Sequence, residues 1–284
     1  MSAATVQRGY VSLKTGQLHY RVAGEKGAPV LLLVHQAPSS SVMYETMMAN
    51  LAADYYVLAP DLPGFGQSDH FPEAKTIAGW ADVLLAFCRA TIGTVTLRGV
   101  FGHHTGAAVA TELLYRHPEI ADCLMLSGPT LLNQKLKNIL PEKAREFPVT
   151  KDGLHLLGMW QRMQGKDETA ELRLVLRETL LGLGMGERYP DAYKAVIDHD
   201  FQRAIGAIQQ PVLMFAGTAD PLYSVLDDAF APVQRGVITR IPNTASWVCD
   251  QQPNTVCGLI QRFLKSGLHA GGARRGKEEW PCES

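Results

Sequence analysis

The chain has 284 residues, 46% of them hydrophobic, which suits one large domain with an insertion or two small domains. A formal net charge of -1 gives no electrostatic reason to bind nucleic acid or an anionic membrane. No apolar run approaches the roughly 20 residues that a membrane-spanning helix needs.

The opening MSAATVQRGY lacks the basic region and apolar core of a secretory signal. The five cysteines, Cys88, Cys123, Cys249, Cys257 and Cys282, contain no C-x-x-C pair, and their scatter suits free thiols in a reducing cytoplasm. The expectation is a cytoplasmic monomer or homodimer. In chain order, Tyr10 to Gly24 reads as two strands joined at Thr15-Gly16. PVLLLVH, Pro29 to His35, is a continuous apolar run and predicts a strand buried on both faces. A helix over 41–51 follows, then a second buried strand, YYVLAPD, and the loop LPGFGQSD. Thr76 caps a helix running to about Ala90, with Ile77, Trp80, Leu84, Leu85 and Cys88 at helical spacing.

TVTLRGVF, Thr94 to Phe101, predicts a third buried strand, followed by a turn and a helix over 106–116. DCLMLS, Asp122 to Ser127, predicts a fourth strand. This alternation builds a mostly parallel sheet with helices on both faces. Residues 130–209 break it: they are rich in helix formers and contain no convincing strand. Strands resume at PVLMFAG and GVITRI. The expected division is therefore 1–129 for the first part of the core, 130–209 for a helical cap, 210–270 for the second part, and 271–284 for a disordered tail.

Four motifs carry a resemblance. They are His35-Gln36-Ala37-Pro38, the loop DLPGFGQSD, the turn GHHTG at Gly102 to Gly106, and GTADPLYS at Gly217 to Ser224. Their order and spacing resemble the α/β-hydrolase fold from about Tyr10 to Leu264, and GHHTG resembles a subfamily with histidine in place of the serine of the nucleophile elbow. The resemblance implies an acid at Asp220 and a histidine after the last strand. Alignment on Pro253 puts Ser246 where that histidine belongs, and no histidine lies between His199 and His269. Serine and histidine thus read as having exchanged places.

The exchange predicts a hydrogen bond between Ser246 and His104, with Ser246 as nucleophile and His104 as its base. Asp220 is then expected beside Ser246 rather than the imidazole. The resemblance also implies an oxyanion hole from the backbone N–H groups of Gln36 and Thr105. Three alternatives stay open: His104 moving a proton as in a lyase, decarboxylase or isomerase, His104 as nucleophile, or a silent binding pocket. The leading expectation is a cofactor-independent enzyme acting on a small apolar ester, lactone or ketone-like molecule.

Each residue also has a plainer reading. His103 and His35 are expected to be structural, Asp220 suits a turn before Pro221, and Ser246 suits any loop. Gln36 either adds a donor to the hole or caps the helix after it. Met159, Trp160 and Trp247 are candidate lining for the substrate, although such apolar stripes are more often core. Cys249, also near the site, is expected to be core. No metal is expected, because adjacent histidines on a turn point apart and no carboxylate pattern completes a site.

Overall fold

The computed structural model describes residues 4–93, 96–266 and 276–281. Its strands are β1 (Gln7–Leu13), β2 (Gly16–Ala23), β3 (Val30–Val34), β4 (Tyr56–Pro60), β5 (Gly99–His103), β6 (Leu124–Ser127), β7 (Val212–Gly217), β8 (Gly236–Ile241) and β9 (Lys277–Glu279). They form one sheet in the order β1-β2-β4-β3-β5-β6-β7-β8-β9. The β1–β2 and β2–β4 pairs are antiparallel, and every pair from β4 through β9 is parallel.

The apolar runs read as strands because both faces of the sheet are covered. In β3, Val30, Leu32 and Val34 enter one core cluster, and Leu31 and Leu33 enter the other. The same alternation splits Val212, Met214 and Ala216 of β7 from Leu213 and Phe215. Helices α1 (Glu45–Leu51), α2 (Ile77–Ile92) and α3 (Thr105–Arg116) follow β3, β4 and β5. Thr76 caps α2 by accepting from the Gly79 N–H.

Five helices lie between β6 and β7: α4 (Gln134–Lys143), α5 (Leu154–Gln164), α6 (Leu172–Gly184), α7 (Tyr189–Asp198) and α8 (Phe201–Ala207). The inward face of α6 carries Val175, Glu178, Thr179 and Gly182, and its outward face carries the exposed Leu172, Leu176 and Leu180. Three more helices, α9 (Leu226–Phe230), α10 (Val248–Gln251) and α11 (Pro253–Lys265), complete the core. None of the described helices is long and apolar enough to cross a membrane.

The expectation of a disordered tail over 271–284 is corrected for residues 276–281. There β9 pairs with β8, and Trp280 is buried against Phe263, with the Arg262 guanidinium over its ring. Composition marked this stretch as disordered because its charges dominate, but the indole found an apolar seat only the folded core supplies. The rest of that tail lies outside the described residues, as do Thr94 and Val95 of the third predicted strand.

Candidate active site

The site begins with the turn between β5 and α3. His104 sits at φ 48° and ψ -115°, in the positive-φ region that is costly for a side-chain-bearing residue. Both glycines of GHHTG are required by packing. A Cβ on Gly102 would come within 2.2 Å of the Gly106 carbonyl oxygen, and one on Gly106 within 2.0 Å of the Val34 carbonyl oxygen.

The His104 ring turns toward β7. Its Nε2 lies 2.7 Å from Asp220 Oδ2, and Asp220 Oδ1 accepts a second bond from the Leu222 N–H at 2.8 Å. Burial raises the Asp220 pKa, but the charge and hydrogen bond of His104 outweigh it and the net shift is downward. Asp220 is therefore an ionised acceptor, Nε2 carries the proton, and in the neutral ring Nδ1 holds the lone pair. Nδ1 has no hydrogen-bond partner among the described residues, and the side chain is 17% exposed. Gly128, at φ +59° just after β6, makes this ring position possible: a Cβ there would fall 2.2 Å from His104 Cδ2.

This geometry corrects two expectations. Asp220 adjoins the imidazole, not Ser246. No hydrogen bond joins Ser246 to His104; instead the Ser246 carbonyl accepts from His103 Nε2 at 2.8 Å. His103 is fully buried, its Nδ1 accepts from the Ser127 hydroxyl at 3.0 Å, and burial followed by the charge of His104 pushes its pKa down to about 3. It is a neutral strut between the elbow and the loop after β8. The adjacent rings do not point apart either, since their centroids are 4.3 Å apart with a 33° tilt. Among the described residues, no group of three or more His, Cys, Asp or Glu side chains could hold a metal.

The backbone N–H groups of Gln36 and Thr105 donate no hydrogen bond within the described structure, which leaves both available to an oxyanion. His35 shapes this loop. Its Nε2 accepts from the Leu62 N–H at 2.8 Å, so its Nδ1 carries the proton and donates to the Gln36 carbonyl. Burial lowers its pKa, in keeping with a neutral ring. Ala37-Pro38 is a cis peptide bond. The cap of the following turn is Ser40, which accepts from the Val42 N–H, so Gln36 does not serve there. The Gln36 side-chain Nε2 is buried without a partner.

Of the three lining candidates, Met159 is buried with its Sδ 3.0 Å from the position of a Cβ on Gly182, beside Pro38 of the oxyanion loop. Trp160 is partly buried against the core, and Trp247 is fully buried with its indole N–H unpartnered. Cys249 is buried and its thiol is held well above its usual pKa, chiefly by burial, so it is no thiolate nucleophile.

Sequence reasoning missed Gly128 and a polar group on the inner face of α6. There Arg177 pairs with both Glu178 and Asp250, and Glu178 accepts from the Ser39 hydroxyl. The glycine at the end of β6 was a legible signal. Glu178 was hidden among the leucines of an otherwise ordinary amphipathic helix.

A family model described as the alpha/beta hydrolase fold matches residues 29–229. Epoxide hydrolase 1 of Caenorhabditis elegans is 23% identical over 283 aligned residues, covering 90% of this chain and 69% of the relative. Epoxide hydrolase 4 of Mus musculus is 29% identical, covering 90% and 79%. Among solved structures, a thermophilic esterase from Thermogutta terrifontis superposes with a TM-score of 0.76 at 19% identity, covering 93% of this chain and 100% of the esterase. With the match spanning most of the sheet and the elbow itself, the chain belongs to the α/β-hydrolase fold family.

Proposed function

We propose that the chain is a cofactor-independent enzyme that hydrolyses a small apolar ester, lactone or related carbonyl compound, with the Asp220–His104 dyad as its base. The observation that carries this reading is the 2.7 Å bond from His104 Nε2 to Asp220, which leaves Nδ1 open. The substrate carbonyl binds at the N–H groups of Gln36 and Thr105. A water attacks the carbonyl carbon and gives its proton to Nδ1. Asp220 holds the ring and balances the imidazolium until that proton passes to the leaving alkoxide. The helical insertion acts as a cap, with Met159, Trp160 and Trp247 as candidate apolar lining.

The absence of a Ser246–His104 bond supports water as the nucleophile. It equally favours a second reading, in which Nδ1 moves a proton at carbon, as a lyase, decarboxylase or isomerase does. A panel of 4-nitrophenyl esters and lactones, followed for wild type, His104→Ala and Ser246→Ala, tests the first reading. Hydrolysis lost in His104→Ala and kept in Ser246→Ala is expected. Fluorophosphonate labelling with intact-mass spectrometry is the companion measurement: a covalent adduct on Ser246 that disappears in His104→Ala would replace water by serine. Deuterium exchange beside a ketone carbonyl without any hydrolysis would establish the second reading. Ligand binding indifferent to His104→Ala, with no turnover, would leave only a binding protein.

A further inference from the structure

The inner face of α6 is Val175, Glu178, Thr179 and Gly182, so a carboxylate stands in the middle of a stripe that the helix buries. Glu178 is fully buried. Its Oε1 accepts from the Ser39 hydroxyl at 3.0 Å and from Arg177 Nε at 2.8 Å, and lies 2.7 Å from Arg177 Nη2. Its Oε2 has no partner among the described residues. Arg177 cannot neutralise the group alone, because Asp250 claims the same guanidinium through two bonds of 2.7 and 2.8 Å. One cation thus serves a buried carboxylate and a partly buried one. Burial, opposed by Arg177 and reinforced by Glu178, pushes the Asp250 pKa up to about 6.

Ser39 lies three residues after Gln36, so Glu178 touches the loop that carries an oxyanion donor. At its other end, α6 approaches Pro38 of the same loop, 3.5 Å from the position of a Cβ on Gly182. Gln36 supplies the complementary defect: it is 1% exposed, and its side-chain Nε2 is buried without a partner. An acceptor beside one short loop and a donor on it are both desolvated and both unsatisfied among the described residues. Buried polar groups are ordinarily paired, so two unsatisfied groups of opposite sense beside one loop call for an explanation.

We infer that Glu178 and Gln36 form a recognition site for a substrate that carries a hydroxyl or N–H group close to its reacting carbonyl. The substrate donor bonds Glu178 Oε2, and a substrate oxygen accepts from Gln36 Nε2. The inference rests on the carbonyl binding at the Gln36 and Thr105 N–H groups, and it narrows the substrate class from apolar carbonyl compounds to hydroxy- or amino-substituted ones. Glu178 is a specificity residue here, since the base is His104.

The test compares methyl mandelate with methyl phenylacetate, which differ by one hydroxyl beside the ester. Dissociation constants are measured by saturation-transfer NMR for wild type and Glu178→Gln. The glutamine keeps an oxygen for Ser39 and Arg177 but sets an NH2 where Oε2 stood. Wild type is expected to bind methyl mandelate at least about tenfold more tightly, the scale of one hydrogen bond to a charged group. Glu178→Gln is expected to shrink that ratio to within about twofold, by reversing the donor sense of one contact. Equal affinities in wild type would overturn the inference, as would a preference that survives in Glu178→Gln or no binding of either ester. The wild-type ratio is decisive even if the variant does not fold. Hydrolysis in the same samples separates the two proposals: preference without turnover keeps the recognition site and removes the hydrolase, and turnover without preference does the reverse.

Discussion

Two histidine–aspartate pairs in this molecule join the same side-chain types at nearly the same distance, through different ring nitrogens, and sit in opposite surroundings. His19 Nδ1 lies 2.8 Å from Asp61, and His104 Nε2 lies 2.7 Å from Asp220. Asp61 also accepts from the Ser41 N–H and hydroxyl and from the Gln67 N–H, so both its oxygens are engaged by neighbouring chain. Gly66 allows this closeness, because a Cβ there would fall 2.2 Å from Asp61 Oδ2. His19 and Asp61 are each 1% exposed, sealed from any substrate. In the second pair the carboxylate is equally hidden, but the imidazole keeps 17% exposure and an open nitrogen. His19 Nε2 is also without a partner among the described residues, but it is shut away from solvent. A pair sealed in the interior fixes a loop, and a pair whose open nitrogen belongs to a partly exposed ring is available for proton transfer.

The sharpest way to break this contrast is to delete each histidine or acid and ask which property fails. His104→Ala is expected to lower kcat/KM by about 10³-fold, the usual scale for a positioned general base, while unfolding free energy changes by less than about 1 kcal/mol. Esterase kinetics and urea denaturation on one preparation decide it; a large loss of stability would show that the second pair is structural as well. Asp61→Ala is expected to do the reverse, costing about 3 kcal/mol in urea titrations by stranding its donors in the interior. Asp220→Asn should reduce kcat by about 10²-fold, with KM nearly unchanged, because it disturbs the ring's tautomer and removes the balancing charge.

Proton linkage sharpens the comparison from the other side. Burial raises the Asp61 pKa, but the His19, Ser41 and Gln67 hydrogen bonds and the charge of His35 overcome it and bring the group from 3.8 to about 2. A depressed folded pKa contributes stability that is complete above the unfolded value and lost as pH falls through the folded one. Denaturation midpoints should therefore fall between about pH 4 and about pH 2, by about 2 kcal/mol from this group. An Asp61→Asn variant should lack that component. The smallest expected effect is Gly128→Ala. Its Cβ would meet the His104 ring, so a roughly tenfold activity loss should accompany about 1 kcal/mol of backbone strain. Full activity in that variant would show that the ring does not need its present seat.

Strands β3 to β8 were legible because each is a short apolar run bounded by glycine, proline or polar residues, and both faces of the sheet are covered. The elbow and Asp220 were legible because motifs place them at the ends of such runs. The partner of His104 was not. Exchanging serine and histidine suggested that reach alone would rejoin them, but the imidazole took the nearer carboxylate, and the Ser246 main chain was claimed by His103. Trp280 went unrecognised because its seat, beside Phe263, exists only once α11 has packed on the sheet.

What the sequence determined by itself was local and periodic: strand runs, the helix cap at Thr76, the glycines that permit the turn at His104, and the residue types available at the sheet edge. What only the tertiary structure decided was pairing. Which nitrogen faces an acid, which oxygen of Glu178 is left without a donor, and which of two histidine–aspartate pairs stays open depend on side chains up to 139 positions apart meeting within 3 Å. Hydrogen bonds at that range fall off with small changes in distance and angle, so one-dimensional spacing cannot choose among them.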